Sequence, residues 1–260
     1  VTEPIWTEHR GNGPLVAVAI HDGHDLRAEV EALMALDEAV RRREEDPDTG
    51  RWTEVAPNRL VALRSRFEVD LNRPRETAVY RGPADAWGLE VWRSPLPEEL
   101  VARSLAEHDA FYDALRRLLD RVGEREGRFA VLDLHSYNHR RAGPDGPPAD
   151  PAANPQINVG TGSMDRSRWG RLVDRFMDDL RRYPFPGGAL DVRENVKFYG
   201  RELARFVHTN YPETGCALAV EVKKFFMDEW SGELDERLHS AIGAALRSAM
   251  PGLIEELARS

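Results

Sequence analysis

Two histidines stand at the same kind of place in this chain. His135 closes the apolar run 129–134, FAVLDL, and opens the polar series Ser136, Tyr137, Asn138, His139, Arg140 and Arg141. His21 closes the run 15–20, LVAVAI, and is followed by Asp22, Gly23 and His24. Ligands of open α/β sheets sit just beyond the carboxyl ends of strands, and a neutral imidazole there is a good metal ligand. Taken singly, either histidine is read equally well as a hydrogen-bonding group at a strand end. His24 is three residues from His21 and close enough to share an ion with it. Glu221 interrupts a third apolar run, 217–226, ALAVEVKKFF. A carboxylate in such a run must pair, protonate or coordinate. Lys223, on the same strand face, offers a neutralising partner. Turned into a site instead, Glu221 has its pKa raised by burial toward the range of a general base.

Two further stretches bear on the same chemistry. Glu44, Glu45, Asp46 and Asp48 follow a helical pattern. Such a cluster is ordinarily a solvated turn, but one acid folded back would complete a metal site or orient a histidine. Asn72 and Arg73 follow the alternation Phe67, Val69, Leu71. A planar guanidinium there suits a substrate carboxylate held through two parallel hydrogen bonds, or a salt bridge to Asp70 or Glu68. Together these parts are what metal-assisted amide hydrolysis needs. A zinc ion on two histidines and a third ligand keeps a position open for water, lowers the pKa of that water and polarises the carbonyl. A carboxylate carries the proton and an arginine fixes the substrate.

Elements of an α/β domain must hold these groups. Strands are expected at 15–20, 60–63, 67–71, 129–134, 156–159, 190–196 and 217–226, because each is a short apolar or alternating run beside turn residues. Helices are expected at 26–43, 100–122, 169–180, 202–210 and 234–257, the last interrupted by Pro251. Residues 80–97 read as an irregular loop. Residues 142–155, rich in Pro, Gly and Asp, read equally as a flap beside the site or as a disordered loop. Gly160-Thr161-Gly162 lacks the lysine of a phosphate-binding loop and the glycine spacing of a dinucleotide fingerprint.

The chain has 260 residues, 41% hydrophobic content and a formal charge of −9. That is enough for one large core, while the acidity argues against nucleic acid as a partner. Its single cysteine, Cys216, permits no internal disulfide and reads as a buried, inert thiol. No apolar run reaches the ~18 residues of a membrane span, and no signal peptide is evident, so a soluble cytoplasmic protein is expected.

The phrases VDLNRPR (69–75) and LDLHSYNHRR (132–141), with His21 before them and Glu221 after them, resemble the N-formylglutamate amidohydrolase family, which is related to the zinc carboxypeptidases. The resemblance covers nearly the whole length. It implies a single domain over 1–260, an α/β fold with a mixed, mostly parallel sheet and helices on both faces, as in zinc carboxypeptidases and phosphorylase/hydrolase-like proteins. It further implies one Zn2+ ion on His21 and His135, Glu221 as base, and Asn72 and Arg73 on a substrate carboxylate. Tyr137 matches the Ser-Tyr that follows the second histidine and is expected on the substrate, and Arg140 or Arg141 is placed to reach a second carboxylate. The peptidases carry a glutamate three residues after the first histidine, where this chain has His24. The amidohydrolases carry acids in the region of Glu45 and Asp46. The third ligand is therefore His24, Glu45 or Asp46. The expected substrate is a small N-formyl or N-acyl acidic amino acid; a peptidase on the same site and a non-catalytic carboxylate-binding protein are the alternatives.

Overall fold

The computed structural model describes residues 4–259. Its strands are β1 (Trp6–His9), β2 (Leu15–Ala19), β3 (Asn58–Ala62), β4 (Phe129–Tyr137), β5 (Ile157–Gly160), β6 (Val192–Glu194) and β7 (Gly215–Lys223). Its α-helices are α1 (Ala28–Glu31), α2 (Glu38–Glu44), α3 (Thr49–Trp52), α4 (Glu98–Glu126), α5 (Arg166–Arg182), α6 (Glu202–Asn210) and α7 (Glu236–Leu257). The strands form one sheet in the order β1-β3-β2-β4-β7-β5-β6. The pairs β3/β2, β2/β4, β4/β7 and β5/β6 are parallel, whereas β1/β3 and β7/β5 are antiparallel. No helix among the described residues is long and apolar enough to cross a membrane.

Both faces of the sheet are covered, which is why β2 and β4 are apolar without alternation. On one face Ala130, Leu132 and Leu134 of β4 pack with Trp52 of α3 and with α5 and α7. On the other, Phe129 and Val131 pack with α4 and α6. Side chains alternate along a strand, so Asp133 and His135 project to the α4/α6 side. Glu221 lies beside His135 in the β4/β7 register. From β2 the chain passes to β3 on one side and then to β4 on the other. This reversal opens a crevice at the carboxyl ends of β2 and β4.

The structure revises several expected elements. β4 runs on through His135 to Tyr137, paired with β7 as far as Lys223. The expected helix 26–43 is broken into α1 and α2. Met34 pairs with Trp92 between them, and Asp37 starts α2 by accepting from Val40 N–H. Residues 67–71 form turns rather than a strand. Phe67, Val69 and Leu71 are fully buried there, so their apolar spacing reflects core contacts and not a pleat. α7 continues through Pro251, its face of Ala245, Leu246, Ala249, Met250 and Leu253 held in the core. Glu44, Glu45 and Asp46 are buried rather than solvated.

A buried lysine accounts for that last difference. Lys224, 2% exposed, follows β7, and its Nζ donates to the carbonyls of Arg43 (2.6 Å) and Glu45 (2.7 Å). It straps the turn after α2 onto the end of the central strands. Burial pushes its ammonium down to about 8, against the pull of Asp46 and Glu44. Lys224→Met leaves both carbonyls without a donor. It should cost about 2–4 kcal/mol, read as a lower urea midpoint with an unchanged slope.

Candidate metal and catalytic site

The strap delivers Asp46 to the crevice. Its Oδ2 lies 2.9 Å from His135 Nδ1 and 3.4 Å from His21 Nδ1. One ligand atom from each of the three buried residues falls within 4.8 Å of the others. The two rings stand 4.9 Å apart at 60°. Asp46 N–H donates to His21 O at 2.9 Å, which fixes the acid against the end of β2.

The far nitrogens of both rings face carboxylates. Asp70 Oδ1 is 2.7 Å from His21 Nε2. Its carboxylate also accepts from Asn72 N–H, Tyr80 Oη and Arg66 Nη2. Asp133 Oδ1 is 2.9 Å from His135 Nε2. A proton held on each Nε2 leaves the Nδ1 lone pairs facing Asp46, which is the arrangement of carboxylate–histidine–metal sites. Burial would raise the carboxyls of Asp46 and Asp70. The imidazoles outweigh it at Asp46, and Arg66, His21 and Tyr80 do so at Asp70, so both are held well below the usual range. Burial likewise opposes charge on His135, but Asp133 and Asp46 drive that imidazole well above its ordinary value.

These groups fit a divalent cation. Asp133 is fully buried with His135 Nε2 at 2.9 Å as its ion-pair partner, so its charge is compensated by positive charge on His135. Four carboxylates (Asp46, Asp70, Asp133 and Glu221) surround the rings, with Arg66 and Lys224 as the cations nearby. Two imidazole nitrogens and one carboxylate oxygen are a common donor set for zinc with an open position.

The trio lies in a cleft of about 600 Å³ including its mouth. Its walls include Glu44, Arg66, Asn72, Trp87, Tyr137, Arg141, Phe198, Arg201 and Glu221. Glu221 keeps some exposure toward this cleft, yet burial pushes its carboxyl up to about 7, opposed by His135 and reinforced by Asp46 and Asp133. Lys223 does not neutralise it, because its Nζ donates to Asn154 O at 2.9 Å.

Of the residues singled out in the sequence, His21, Asp46, His135, Asn72, Tyr137 and Glu221 meet at this cleft. Asn72 lies 3.4 Å from His135 Nε2 through its amide nitrogen. His24 and Glu45 do not join them. They pair with each other at 2.5 Å, backed by Ser65 and Arg41, so Asp46 completes the group. Arg73 is absent from the cleft wall, its guanidinium on Asp85 O and over Tyr80. Arg140 turns to Pro144 O in its own loop, while Arg141 reaches the cleft paired with Glu44. The Tyr137 hydroxyl donates to Pro155 O. None of residues 142–155 lines the cleft. Sequence reasoning missed Asp70, Asp133, Lys224 and Arg66 as parts of the site. The lone acid inside FAVLDL was the one available signal, for Asp133.

If Asp70 and Asp133 orient the rings, removing either charge should weaken the metal site without emptying it. Asp70→Asn and Asp133→Asn should each lower zinc affinity about 10–100-fold, measured by competition with a chromophoric chelator.

Comparison with known proteins gives a consistent picture. The N-formylglutamate amidohydrolase family model matches residues 13–227. The N-formylglutamate amidohydrolase of Ralstonia eutropha JMP134 superposes with a TM-score of 0.76 at 18% identity, over 98% of each chain. A gene product of Agrobacterium tumefaciens superposes with a TM-score of 0.70 at 16% identity, over 98% of this chain and 96% of that one. At these identities both structures speak for the fold alone. No curated protein matches the sequence. The family model spans His21, Asp46, His135 and Glu221 together, and the chain belongs to the N-formylglutamate amidohydrolase family.

Proposed function

We propose that the protein is a zinc-dependent amidohydrolase that removes an N-formyl or related small N-acyl group from an acidic amino acid. The observation that carries the reading is the meeting of His21, Asp46 and His135 beside Glu221 in one cleft, in a chain of this family. His21 and His135 through Nδ1, with Asp46, would hold the ion. When bound, the ion supplies Lewis acidity that polarises the amide carbonyl and acidifies water. Asp70 and Asp133 keep the protons of both rings on Nε2. The Glu221 carboxylate takes a proton from the attacking water and returns it to the departing nitrogen. Its raised pKa suits both halves of that exchange, since the base must also serve as an acid. The cleft encloses about 120 Å³, which supports a small amino acid derivative over a folded polypeptide.

Glu221→Gln should lower kcat for N-formylglutamate by about 10²–10⁴-fold while zinc content and KM stay near wild type. N-formylglutamate should be turned over in preference to short peptides; the reverse order would favour a peptidase. The pH profile has a definite sign. Glu221 acts ionised and its carboxyl is raised, so kcat/KM should fall as pH drops, along an acid limb between the ordinary 4.5 and about 7. A bound dication moves that limb toward the lower figure. Glu221→Gln should abolish the limb in the residual rate.

A further inference from the structure

We infer that Arg201, rather than Arg73, receives a carboxylate of the substrate, an assignment that rests on the amidohydrolase reading. Arg73 is already engaged. It donates to Asp85 O, lies 3.4 Å from Asp70 Oδ2 through Nε and stacks 4.5 Å from the Tyr80 ring centre. It lines a neighbouring groove and not the cleft of the metal trio. Three guanidiniums do line that cleft: Arg66, Arg141 and Arg201. Arg66 is neutralised by Asp70 at 3.0 Å, and Arg141 by Glu44 at 3.2 Å. Arg201 is exposed and has no acceptor among the described residues.

The cleft also carries Glu44, Asp46 and Glu221. An anion entering it is repelled unless it meets a cation whose charge is not already spent on a neighbour, and Arg201 answers that description. Two buried polar atoms on the same wall, Ser136 Oγ and Asn138 Oδ1, have no hydrogen-bond partner. Unmet capacity of this kind points to a polar ligand. A guanidinium can clasp both oxygens of a carboxylate at once.

The backbone holds Arg201 at that rim. Gly162 N–H donates to Tyr199 O at 2.6 Å, and the Asn158 side chain donates to Phe198 O at 2.7 Å. A Cβ on Gly160 would lie 2.5 Å from Gly200 N and 2.7 Å from Tyr199 C, and Gly200 itself has φ +85°. Gly160-Thr161-Gly162, which has no place in a phosphate loop, therefore admits the 199–200 backbone against the end of β5. Arg201 emerges there as the residue before α6. The amide end of that helix adds positive potential on the same side.

The probe is glutarate, with uncharged glutaramide as control, titrated calorimetrically into the zinc-loaded protein. Wild type should bind glutarate more tightly than glutaramide. Arg201→Gln should weaken glutarate binding by about tenfold or more and leave glutaramide unchanged. Arg201→Lys should restore part of the difference, and Arg73→Gln should alter it less than threefold. Equal glutarate affinity in Arg201→Gln and wild type, a larger loss in Arg73→Gln, or no glutarate binding by wild type overturns the assignment. Kinetics add a second arm, in which Arg201→Gln raises KM for N-formylglutamate about tenfold or more with kcat little changed. Should wild type hydrolyse no N-formyl amino acid while glutarate binding still depends on Arg201, the amidohydrolase reading fails and the anchor stands.

Discussion

Buried negative charge around two imidazoles is the constraint on which the rest of this structure depends. Asp46, Asp70 and Asp133 are each no more than 3% exposed. Carboxylates so placed are tolerated only when positive charge compensates them. Asp70 finds Arg66, Tyr80 and the amide of Asn72. Among the described residues the His135 ring is the ion-pair partner of Asp133, and both rings are partners of Asp46. A cation between the Nδ1 atoms satisfies Asp46 directly and Asp133 through His135. The same point explains the fold around it. The crevice lies where the strand order reverses, between the parallel strands β2 and β4, and a strap from the end of β7 brings Asp46 across.

The strap and the ligands are separate inventions of the chain. β2 and β4 supply the histidines through ordinary strand burial, with rings at the carboxyl ends of neighbouring parallel strands. Asp46 comes from a turn after a short helix and would not hold its place through local backbone preference. Lys224 supplies that restraint with two hydrogen bonds to carbonyls, leaving the carboxylates uncapped and available to a ligand. A lysine that neutralised Asp46 directly would occupy the position a metal needs.

Much of this was legible in the sequence, and the reasons differ from residue to residue. β2, β4 and β7 announce themselves as short apolar runs, and His21 and His135 follow from where those runs end. Glu221 was legible because an acid in an apolar strand demands a reason. Asp46 was hidden among acids whose usual fate is solvent, and only the tertiary position of Lys224 distinguishes it. The sequence offered Lys223 as a neutralising partner of Glu221, because strand alternation puts it on that face, and gave no sign of the role of Lys224, one residue on. Asp70 was read as a possible partner of Arg73, and it does lie 3.4 Å from that Nε, but its carboxylate also serves His21. That link crosses 49 positions and involves turns that no periodicity describes. Arg73 fits a local motif, but Asp85 and Tyr80, brought from a loop without regular pattern, occupy it.

The account stands on a cation held by His21, Asp46 and His135, and X-ray absorption at the zinc edge of the loaded protein tests it most directly. The account predicts a first shell of two imidazole nitrogens with oxygen at about 2.0–2.2 Å, reduced to one imidazole in His135→Ala and in His21→Ala alike. A shell without imidazole scattering, or one unaltered by either substitution, would contradict it.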